Sequence, residues 1–473
     1  MLSIFRYRWF ANTGIFLAPS LLLLILVSTR IIPIYTPGKL SYSAPIIPNA
    51  DRLPLQISGD PYTNNTSQHQ TEVEPDTYAY GSSIVATFQA GRFSDGGSSN
   101  IGWATSNDAG NTWKNGFLPH VTEFVGGPYT RVSDPSVTYD AAHKTWIIAS
   151  IAITGTGANL ASPAVIVNLS TNGGLTWSNP IHVVSGGSTF FDKDWIVCDN
   201  TATSAFYGHC YVEWDDDDKH GLILMSTSTD GGHTWGKAQA TANRAVGIGG
   251  QPLVQPGGTV IVPISGYDDS RMYAFTSTNG GASWGRTVTL ARIAGAALPS
   301  AEMDASGKVY LVWADCQFER ICSTNGGERE DDLVMATSTD GITWSAVQRI
   351  PIDPVGSAID HFNPGLGVDN ATSGSSVHLA LAFYYHSVNC DSDCQYFVGF
   401  VSSSDGGTHW TQSIQLAGPM DASWLPAGHN RVGDYISTSF ADRKAFPVFS
   451  IANEPSGGNL NEAMYTITDG LVV

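Results

Sequence analysis

Polar residues that could carry out chemistry recur at the beginning of seven apolar segments. The beginnings lie near Glu74, Arg131, Asp192, Gln251, Glu302, His361 and Arg431. Asp134 and Tyr435 follow shortly after the second and the seventh. A tyrosine is uncharged near neutral pH, so it can attack a substrate beside carboxylates while one of them takes its proton. If the fold brings these groups together, they form a charged funnel. If water alone satisfies them, the funnel has no function.

An eight-residue pattern, S-x-D-x-G-x-T-W, recurs six times and indicates which elements position these residues. The copies occupy residues 106–113, 170–177, 228–235, 277–284, 338–344 and 403–410. Each Asp can accept hydrogen bonds from N–H groups ahead of it, and each Gly can take the positive φ of a tight turn. The Trp offers an apolar anchor for packing. A repeat every 50 to 65 residues, roughly, predicts a propeller, a solenoid or an array.

Between the boxes, short apolar runs bounded by Gly, Asp and Asn predict β-strands and no helix. In the second unit these runs are residues 134–139, 146–152 and 164–169. Residues 425–473 contain a further unit without a box. Seven units are therefore favoured over the six that the boxes alone indicate. The last unit is expected to take its outer strand from residues 53–57.

The boxes resemble those of the Asp-box (BNR-repeat) proteins, whose best-known members are the sialidases. The resemblance covers roughly residues 70–473. It implies an all-β fold, an Asp-box β-propeller with seven blades favoured and six as the alternative. In that family the box is structural, and the first strand of each blade lines the central channel. The repeat serves several glycosidases, lyases and non-enzymes, so the resemblance is more specific for the fold than for the reaction.

The resemblance also implies roles for individual residues. Sialidases use a tyrosine nucleophile activated by a glutamate, an aspartate acid/base and three arginines that bind the substrate carboxylate. The residues in matching positions are Tyr435 as nucleophile, Glu302 as its glutamate, Asp134 as acid/base, and Arg131, Arg431, Asp192, Asp434 and His361 as substrate-binding groups. An arginine suits a carboxylate because it can donate two parallel hydrogen bonds.

Two departures from the family leave the substrate open. The Arg-Ile-Pro motif that sialidases carry near the first blade occurs here only at Arg349, after the fifth box, where a structural role is favoured. No third arginine begins a segment, which leaves Arg92 and Arg292 as candidates. A neutral or differently charged glycan handled by Asp and Glu pairs is therefore an alternative to sialic acid.

The function predicted from these residues is that of an exported, sialidase-like glycoside hydrolase. It would be exo-acting, with exo-α-sialidase as the narrower form, and its partner would be a carbohydrate or glycoconjugate. The alternative is a non-catalytic propeller that binds glycans or proteins at the cell envelope. We expect no cofactor and no metal. The acidic run at residues 215–218 could bind Ca²⁺, but a solvated loop is favoured.

The N-terminal region predicts export. Arg6 and Arg8 precede an apolar run at residues 15–27, which is typical of a secretory signal or an uncleaved signal-anchor, the anchor being favoured. The predicted domains are residues 1–35 as this segment, 36–70 as a linker and 71–473 as the propeller. The net charge of −19 argues against nucleic acid or an anionic membrane surface as a partner. Membrane contact is expected through the N-terminal segment only.

The six cysteines fall into three local pairs, which fits an exported chain. The expected disulfides are Cys198 with Cys210, Cys316 with Cys322, and Cys390 with Cys394. A metal site is disfavoured because no C-x-x-C motif occurs.

Overall fold

The computed structural model describes residues 47–48 and 53–473, apart from residues 269, 295–297, 321, 323–329, 391–393 and 427–431. The described residues form β-strands and short 3-10 turns, without an α-helix, as the sequence predicts. Within that part of the chain, no helix has the length and apolar character needed to cross a membrane. The predicted signal or anchor at residues 1–35 lies outside it.

The strands are arranged in seven antiparallel units, preceded by two short strands, β1 (Ile47–Pro48) and β2 (Pro54–Gln56). Unit 1 contains β3 (Glu72–Tyr80), β4 (Ser83–Arg92), β5 (Ser98–Ser106) and β6 (Lys114–Phe117). Unit 2 contains β7 (Arg131–Asp140), β8 (Thr145–Thr154), β9 (Ala161–Ser170) and β10 (Ile181–Ser185). One pairing between Ser98 and Val132 joins these two units into an eight-stranded sheet.

Units 3 to 5 are separate sheets. Unit 3 contains β11 (Phe191–Cys198), β12 (Cys210–Asp216), β13 (Leu222–Ser228) and β14 (Gln239–Ala240). Unit 4 contains β15 (Gly247–Ile248), β16 (Leu253–Val254), β17 (Val260–Gly266), β18 (Arg271–Ser277) and β19 (Val288–Arg292). Unit 5 contains β20 (Ser300–Met303), β21 (Val309–Asp315), β22 (Asp332–Ser338) and β23 (Gln348–Arg349).

The last two units each gain a strand from the N-terminal side. Unit 6 contains β24 (Ile359–Val368), β25 (Leu379–Ser387), β26 (Gln395–Ser403) and β27 (Ile414–Asp421), with β1 parallel to β27. Unit 7 contains β28 (Ser437–Ala441), β29 (Lys444–Ala452), β30 (Glu462–Ile467) and β31 (Leu471–Val472). β2 pairs antiparallel with β30, so the predicted outer strand at residues 53–57 is confirmed. Both added strands lie in the stretch 36–70 that the sequence predicts as a linker.

The first strands of the units contact one another in chain order, with β16 instead of the two-residue β15 in that place in unit 4. β3 contacts β7, β7 contacts β11, β11 contacts β16, and β16 contacts β20. β20 then contacts β24, β24 contacts β28, and β28 contacts β3 again. The order of contacts thus runs through all seven units and returns to the first. Apolar residues fill the spaces between units, as where Ile147 and Val167 of unit 2 pack with Ile196 and Trp214 of unit 3.

The boxes form the turns that the sequence predicts. In the first box, the Ser106 hydroxyl donates to Asp108 at 2.8 Å and accepts from the Gly110 N–H at 2.8 Å. Asp108 also accepts from the Thr112 N–H at 2.8 Å, and the Trp113 ring nitrogen donates to the Gly110 carbonyl at 3.2 Å. A side-chain oxygen that accepts backbone N–H groups fixes a turn at small cost in strain.

The box glycines need both their positive φ and their missing side chain. Gly110 has a φ of 83°, and a Cβ on it would lie 2.2 Å from the Phe446 ring of unit 7. Gly174 in the second box has a φ of 76° and faces Val85 of unit 1 in the same way. Each of these boxes therefore packs against the unit before it, with unit 7 standing before unit 1. Of the box tryptophans, Trp177 and Trp284 are buried and the other four are half-buried.

Candidate functional site

The first strands of four units each contain a β-bulge near the beginning of the strand. Glu74 in β3, Asp134 in β7, Lys193 in β11 and Asn363 in β24 lie within register shifts of their strands. Their φ values are 58°, 50°, 44° and 47°, in the left-handed region that side chains other than glycine rarely adopt. A β-bulge inserts an extra residue and redirects a side chain, and bulges are frequent beside functional sites.

The segment before β28 brings Tyr435 to these bulges. Its hydroxyl donates to the Pro135 carbonyl at 3.1 Å, next to Asp134 in the chain. The Lys193 Nζ lies 3.6 Å from the centre of the Tyr435 ring and 4.5 Å from that of Trp195. Tyr435 is 3% exposed, and burial raises its pKa well above the usual value, with the charge of Glu74 adding to the effect.

We call the residues that meet here the bulge cluster. Its members are Glu74, Asp134, Lys193, Asp194, Asp434 and Tyr435. The four members that lie in strands are all buried, namely Glu74, Asp134, Lys193 and Asp194. They come from β3, β7, β11 and the segment before β28, so four separate parts of the chain build the cluster.

Burial raises the pKa of every carboxyl group in the cluster, although not equally. The pKa of Glu74 lies well above its usual range, because burial is reinforced by the charges of Asp434 and Asp134. The pKa of Asp194 is also well above its usual range, through burial and then Asp134. For Asp434 the rise is to about 6. The pKa of Asp134 is raised by burial against the opposing charge of Lys193, which is the next largest influence.

Neighbouring polar groups hold the carboxyl groups in place. The Gln89 side chain donates to Glu74 and lies 3.3 Å from the Ser133 hydroxyl. The Ser136 hydroxyl donates to Asp194 at 3.2 Å. Arg92, which is 1% exposed at the end of β4, adds a positive charge that acts on Glu74 and on Asp434.

Three further carboxyl groups adjoin the cluster. Asp76 accepts from the Val137 N–H at 2.8 Å, and burial raises its pKa to about 7. Burial raises the pKa of Glu213 on β12 to about 8. Partial burial, followed by the charge of Asp76, raises the pKa of Glu302 to about 8. Groups with pKa values displaced toward neutrality are typical of catalytic sites, although structural networks also contain them.

The structure brings three of the residues implied by the family resemblance together, namely Asp134, Asp434 and Tyr435. Glu302 interacts with Asp76 and Tyr78, farther along β3 than Glu74. Among the strongest charges that act on Tyr435, the first is Glu74 and not Glu302.

The remaining candidates have other surroundings. Arg131 donates to Asp95 at 2.6 Å and to the Gly96 carbonyl at 2.9 Å, and its guanidinium lies 4.3 Å from the Phe93 ring centre. Asp192 is buried and accepts from the Lys193 N–H at 3.1 Å. Arg431 lies outside the described residues. Of the two candidates for a third arginine, Arg92 lies beside the bulge cluster and Arg292 is exposed at the end of β19.

His361 belongs to a second charged group between units 5 and 6. Its Nδ1 lies 3.1 Å from the Asp331 carbonyl and its Nε2 lies 3.7 Å from Asp353. Asp332, Asp353 and His361 are close enough to share a metal ion. However, the Arg349 guanidinium lies 2.6 Å from Asp332 and 2.8 Å from Asp353, so it already supplies a positive charge there. These contacts agree with a structural role for Arg349.

The sequence analysis placed Glu74 at a segment beginning but assigned no catalytic or binding role to Glu74, Lys193 or Asp194. A signal was available, because Glu74-Pro75, Asp134-Pro135 and Asn363-Pro364 share a residue followed by proline at the same place in the segment. Lys193 has no such proline, and only its alignment with the other segment beginnings would have revealed it.

The disulfides follow the predicted pairing. Cys198 is bonded to Cys210, Cys316 to Cys322, and Cys390 to Cys394. Each bond closes a short segment within one unit, at sequence separations of 12, 6 and 4 residues.

Comparison with known proteins gives matches in both sequence and fold. A family model described as a BNR repeat-like domain matches residues 161–369. A polysaccharide lyase, an ulvan lyase, superposes with a TM-score of 0.51 at 12% identity, over 88% of this chain and 96% of that one. No curated protein matches the chain.

Two sialidases are also similar in structure. A Hadza microbial sialidase has a TM-score of 0.46 at 19% identity, over 74% of this chain. The chain spans 66% of that sialidase, just under two thirds of its length. The endosialidase of phage phi92 has a TM-score of 0.49 at 13% identity, over 89% of this chain and 70% of that one. At such identities a structural likeness concerns the fold and not the reaction.

Proposed function

The chain carries the BNR repeat of the Asp-box proteins, and from that premise we propose that it is a carbohydrate-active enzyme of that family. Specifically, we propose a sialidase-like glycoside hydrolase whose active site is the bulge cluster at the axis of a seven-bladed β-propeller. The observation that carries the proposal is the convergence of Tyr435 with the carboxyl groups of Glu74, Asp134, Asp194 and Asp434 around one buried lysine.

The seven-bladed architecture is supported by the contacts between units. The first strands touch in chain order and the last returns to the first, which is what a ring requires. The packing of the boxes also supports a ring, because Gly110 of unit 1 lies against Phe446 of unit 7. β2 would close the ring by completing unit 7 from the other end of the chain. An ulvan lyase of similar fold acts on a polysaccharide, in keeping with a carbohydrate substrate.

In the proposed reaction, Tyr435 is the nucleophile and two carboxyl groups handle the protons. The Tyr435 Oη attacks the anomeric carbon, the bond to the leaving oxygen breaks, and the tyrosine proton passes to Asp134. Glu74 gives its proton to the leaving oxygen. Water then attacks the glycosyl–tyrosine bond, Glu74 takes a proton from that water, and Asp134 returns a proton to Tyr435.

The differing environments of the two carboxyl groups support these roles. A group held protonated suits the acid, and the pKa of Glu74 lies well above its usual range. A group kept ionised suits the base, and Lys193 opposes the effect of burial on the pKa of Asp134. Environments that push two pKa values apart are the general means by which a site assigns acid and base. This assignment gives Glu74 the acid/base role that the resemblance implies for Asp134. It gives Asp134 the role of accepting the tyrosine proton, which the resemblance implies for Glu302.

The substrate class is a terminal sugar of a glycoconjugate, with sialic acid as the narrower proposal. A carboxylate-bearing sugar needs positive groups, and those near the cluster are Lys193 and Arg92 among the described residues. Both positive groups lie among acidic groups that offset their charge. A neutral sugar is therefore the alternative substrate.

The proposal is tested by an activity screen on sialosides and on neutral aryl glycosides. Tyr435→Phe should lower kcat/KM by several powers of ten, because a covalent nucleophile has no substitute in the site. Tyr211→Phe is the matched control, since Tyr211 is a buried tyrosine of unit 3 whose hydroxyl has no hydrogen-bond partner in the part of the chain that the structure describes. Turnover that Tyr435→Phe leaves unchanged would exclude this mechanism.

A second candidate function is a binding propeller without turnover. It is favoured by one observation, that the Tyr435 hydroxyl is buried and already donates to Pro135. This candidate predicts no hydrolysis of any glycoside by the wild type, together with saturable glycan binding by calorimetry. Arg131→Ala and Arg431→Ala should then weaken the binding.

We further propose that the protein works outside the cytoplasm, secreted or held to a membrane by its N-terminal segment. The three disulfides support an extracellular location, because such bonds persist in oxidising compartments. Peptide mapping of the cell-surface and medium fractions would establish whether residues 1–35 remain attached.

A further inference from the structure

Lys193 is held in an unusual position for a lysine. It is 4% exposed and adopts a φ of 44° within the bulge of β11. Among the described residues its Nζ has no hydrogen-bond partner, and it lies over the faces of Tyr435 and Trp195. A buried ammonium normally requires hydrogen bonds or opposite charges. The two aromatic faces offer a cation–π attraction, worth roughly 2 kcal/mol when the cation is desolvated.

Acidic groups from four strands and from the segment before β28 act on this ammonium. They are Glu74 and Asp76 from β3, Asp134 from β7, Asp194 from β11 itself, Glu213 from β12, and Asp434 with the phenol of Tyr435 from the segment before β28. Arg92 from β4 is a second positive charge that acts on Glu74 and Asp434.

The position of the ammonium is not equivalent for all of these carboxyl groups. For Asp134 and for Glu213, Lys193 is the largest influence after burial, and of these two only Asp134 belongs to the bulge cluster. For Glu74, the negative charges of Asp434 and Asp134 both act more strongly than either positive group. One cation among several carboxyl groups stabilises the ionised form of the group it influences most, and that ionised group then disfavours ionisation of its neighbours.

We propose that Lys193 is a positioning residue that decides which carboxyl group of the bulge cluster is ionised. Its ammonium, fixed over the Tyr435 ring, keeps Asp134 as a carboxylate and thereby leaves the proton on Glu74. The distribution of protons follows from the positions of the charges alone. Its use in catalysis rests on the proposed function.

The ionisation of the cluster can be measured without any substrate. The infrared C=O band of protonated carboxyl groups is followed against pH in the wild type, Lys193→Met and Lys193→Arg. Lys193→Met should retain protonated carboxyl signal to a pH about 1 to 3 units higher, because a nearby opposite charge shifts a carboxyl pKa by that amount. Lys193→Arg keeps the charge and should titrate as the wild type does.

Two further variants assign the effect. Asp134→Asn combined with Lys193→Met should remove the extra signal, because the carboxyl group that gained the proton is gone. Lys237→Met is the matched control, since Lys237 is an exposed lysine of the same unit, and it should leave the band unchanged.

A titration that Lys193→Met leaves unshifted would overturn the proposal and make Lys193 a packing residue. A shift in Lys193→Arg equal to that in Lys193→Met would overturn it as well, since the charge would then not be the cause. If Lys193→Met does not fold, Lys193→Gln provides the neutral variant. Failure to find a glycosidase activity would count against the proposed function only, because the band does not depend on turnover.

Discussion

At the scale of single residues, the bulge cluster depends on conformations that most side chains avoid. Glu74, Asp134, Lys193 and Asn363 all have positive φ, at a cost of about 1 kcal/mol or more each. For Asn363, part of this conformational cost is offset by a hydrogen bond that its side-chain amide donates to the Gly433 carbonyl at 2.7 Å. Because Gly433 lies immediately before Asp434 and Tyr435, that bond also holds the segment that carries the proposed nucleophile.

The proposed role of Glu74 leads to a prediction about leaving groups. Glu74→Gln removes the acid but keeps the side-chain volume, so turnover of glycosides with poor leaving groups should fall by roughly 10²- to 10⁴-fold. Aryl glycosides with good leaving groups need little protonation and should lose much less. The measurement is kcat/KM for a leaving-group series with the wild type, Glu74→Gln and Glu302→Gln. Equal losses across the series for Glu74→Gln would contradict its role as the acid.

The residues of the site were only partly accessible from the sequence. Asp134, Asp434 and Tyr435 were found because polar residues at strand beginnings and a family resemblance both pointed to them. Lys193 was missed because it lies between two aspartates in a segment that looks simply charged. Arg131 begins β7, yet it contacts Asp95 on the preceding unit, and no local pattern indicates that long-range partner.

At the scale of the elements, the box is a turn whose tryptophan is buried to a different extent in different units. Trp284 is 4% exposed and packs edge-on against Tyr211 and Phe275, with ring centres 6.0 and 5.8 Å away. Trp235 occupies the matching position in the third box but is only half-buried. The same motif therefore makes different contributions to stability.

This difference predicts unequal effects of one substitution. Trp284→Ala should lower the free energy of unfolding by about 3–5 kcal/mol, as is usual for a buried aromatic residue. Trp235→Ala should cost less than half of that, because less of its surface leaves water on folding. Urea unfolding of both variants and the wild type gives the values. Equal costs would show that the box turn, and not the packing of its tryptophan, provides the stability.

The strands and the turns were predictable, whereas the bulges were not. Box glycines and apolar runs are local signals, and they indicated where strands begin and end. A bulge depends on the register between two strands, as at the shift between Ser133 and Ser136 in β7, and register is not encoded in one segment alone. The sequence therefore predicted that polar side chains at the strand beginnings lie on one side of the fold, but not which of them are in contact.

At the scale of the whole molecule, the ionisable groups divide into two populations with opposite effects. The box carboxylates, which lie at the surface, accept several hydrogen bonds, as Asp405 does from the His409 N–H and ring, which lowers its pKa to about 2. The buried carboxyl groups have raised pKa values, about 6 for Asp434, 7 for Asp76 and 8 for Glu213. Ionisation of the box carboxyl groups therefore stabilises the folded protein, whereas ionisation of the buried carboxyl groups destabilises it.

From these shifts, the free energy of unfolding should be greatest at a pH of about 4 to 5, lower than for most proteins. Above that pH an unfolded carboxyl group is ionised while its buried counterpart still holds a proton, so stability falls as pH rises toward about 8. Below it, protonation of the box carboxylates removes their contribution as pH falls toward about 2. Urea unfolding from pH 3 to 9 measures the curve. A maximum at pH 7 or above would contradict the burial of these groups.

The pairing of β2 with β30 has a consequence for the order in which the protein can be made. Leu55 pairs with Thr466, so a strand synthesised near the beginning waits for a partner made near the end. Until unit 7 has been made, β2 has no strand to pair with, and Ile57, which is 1% exposed in the finished protein, lacks its contacts with Val448 and Met464. An unpaired strand is a ready template for association with another chain. The longest-lived unpaired strand during synthesis of this protein is therefore β2, and we expect a chaperone to bind there until unit 7 has been made.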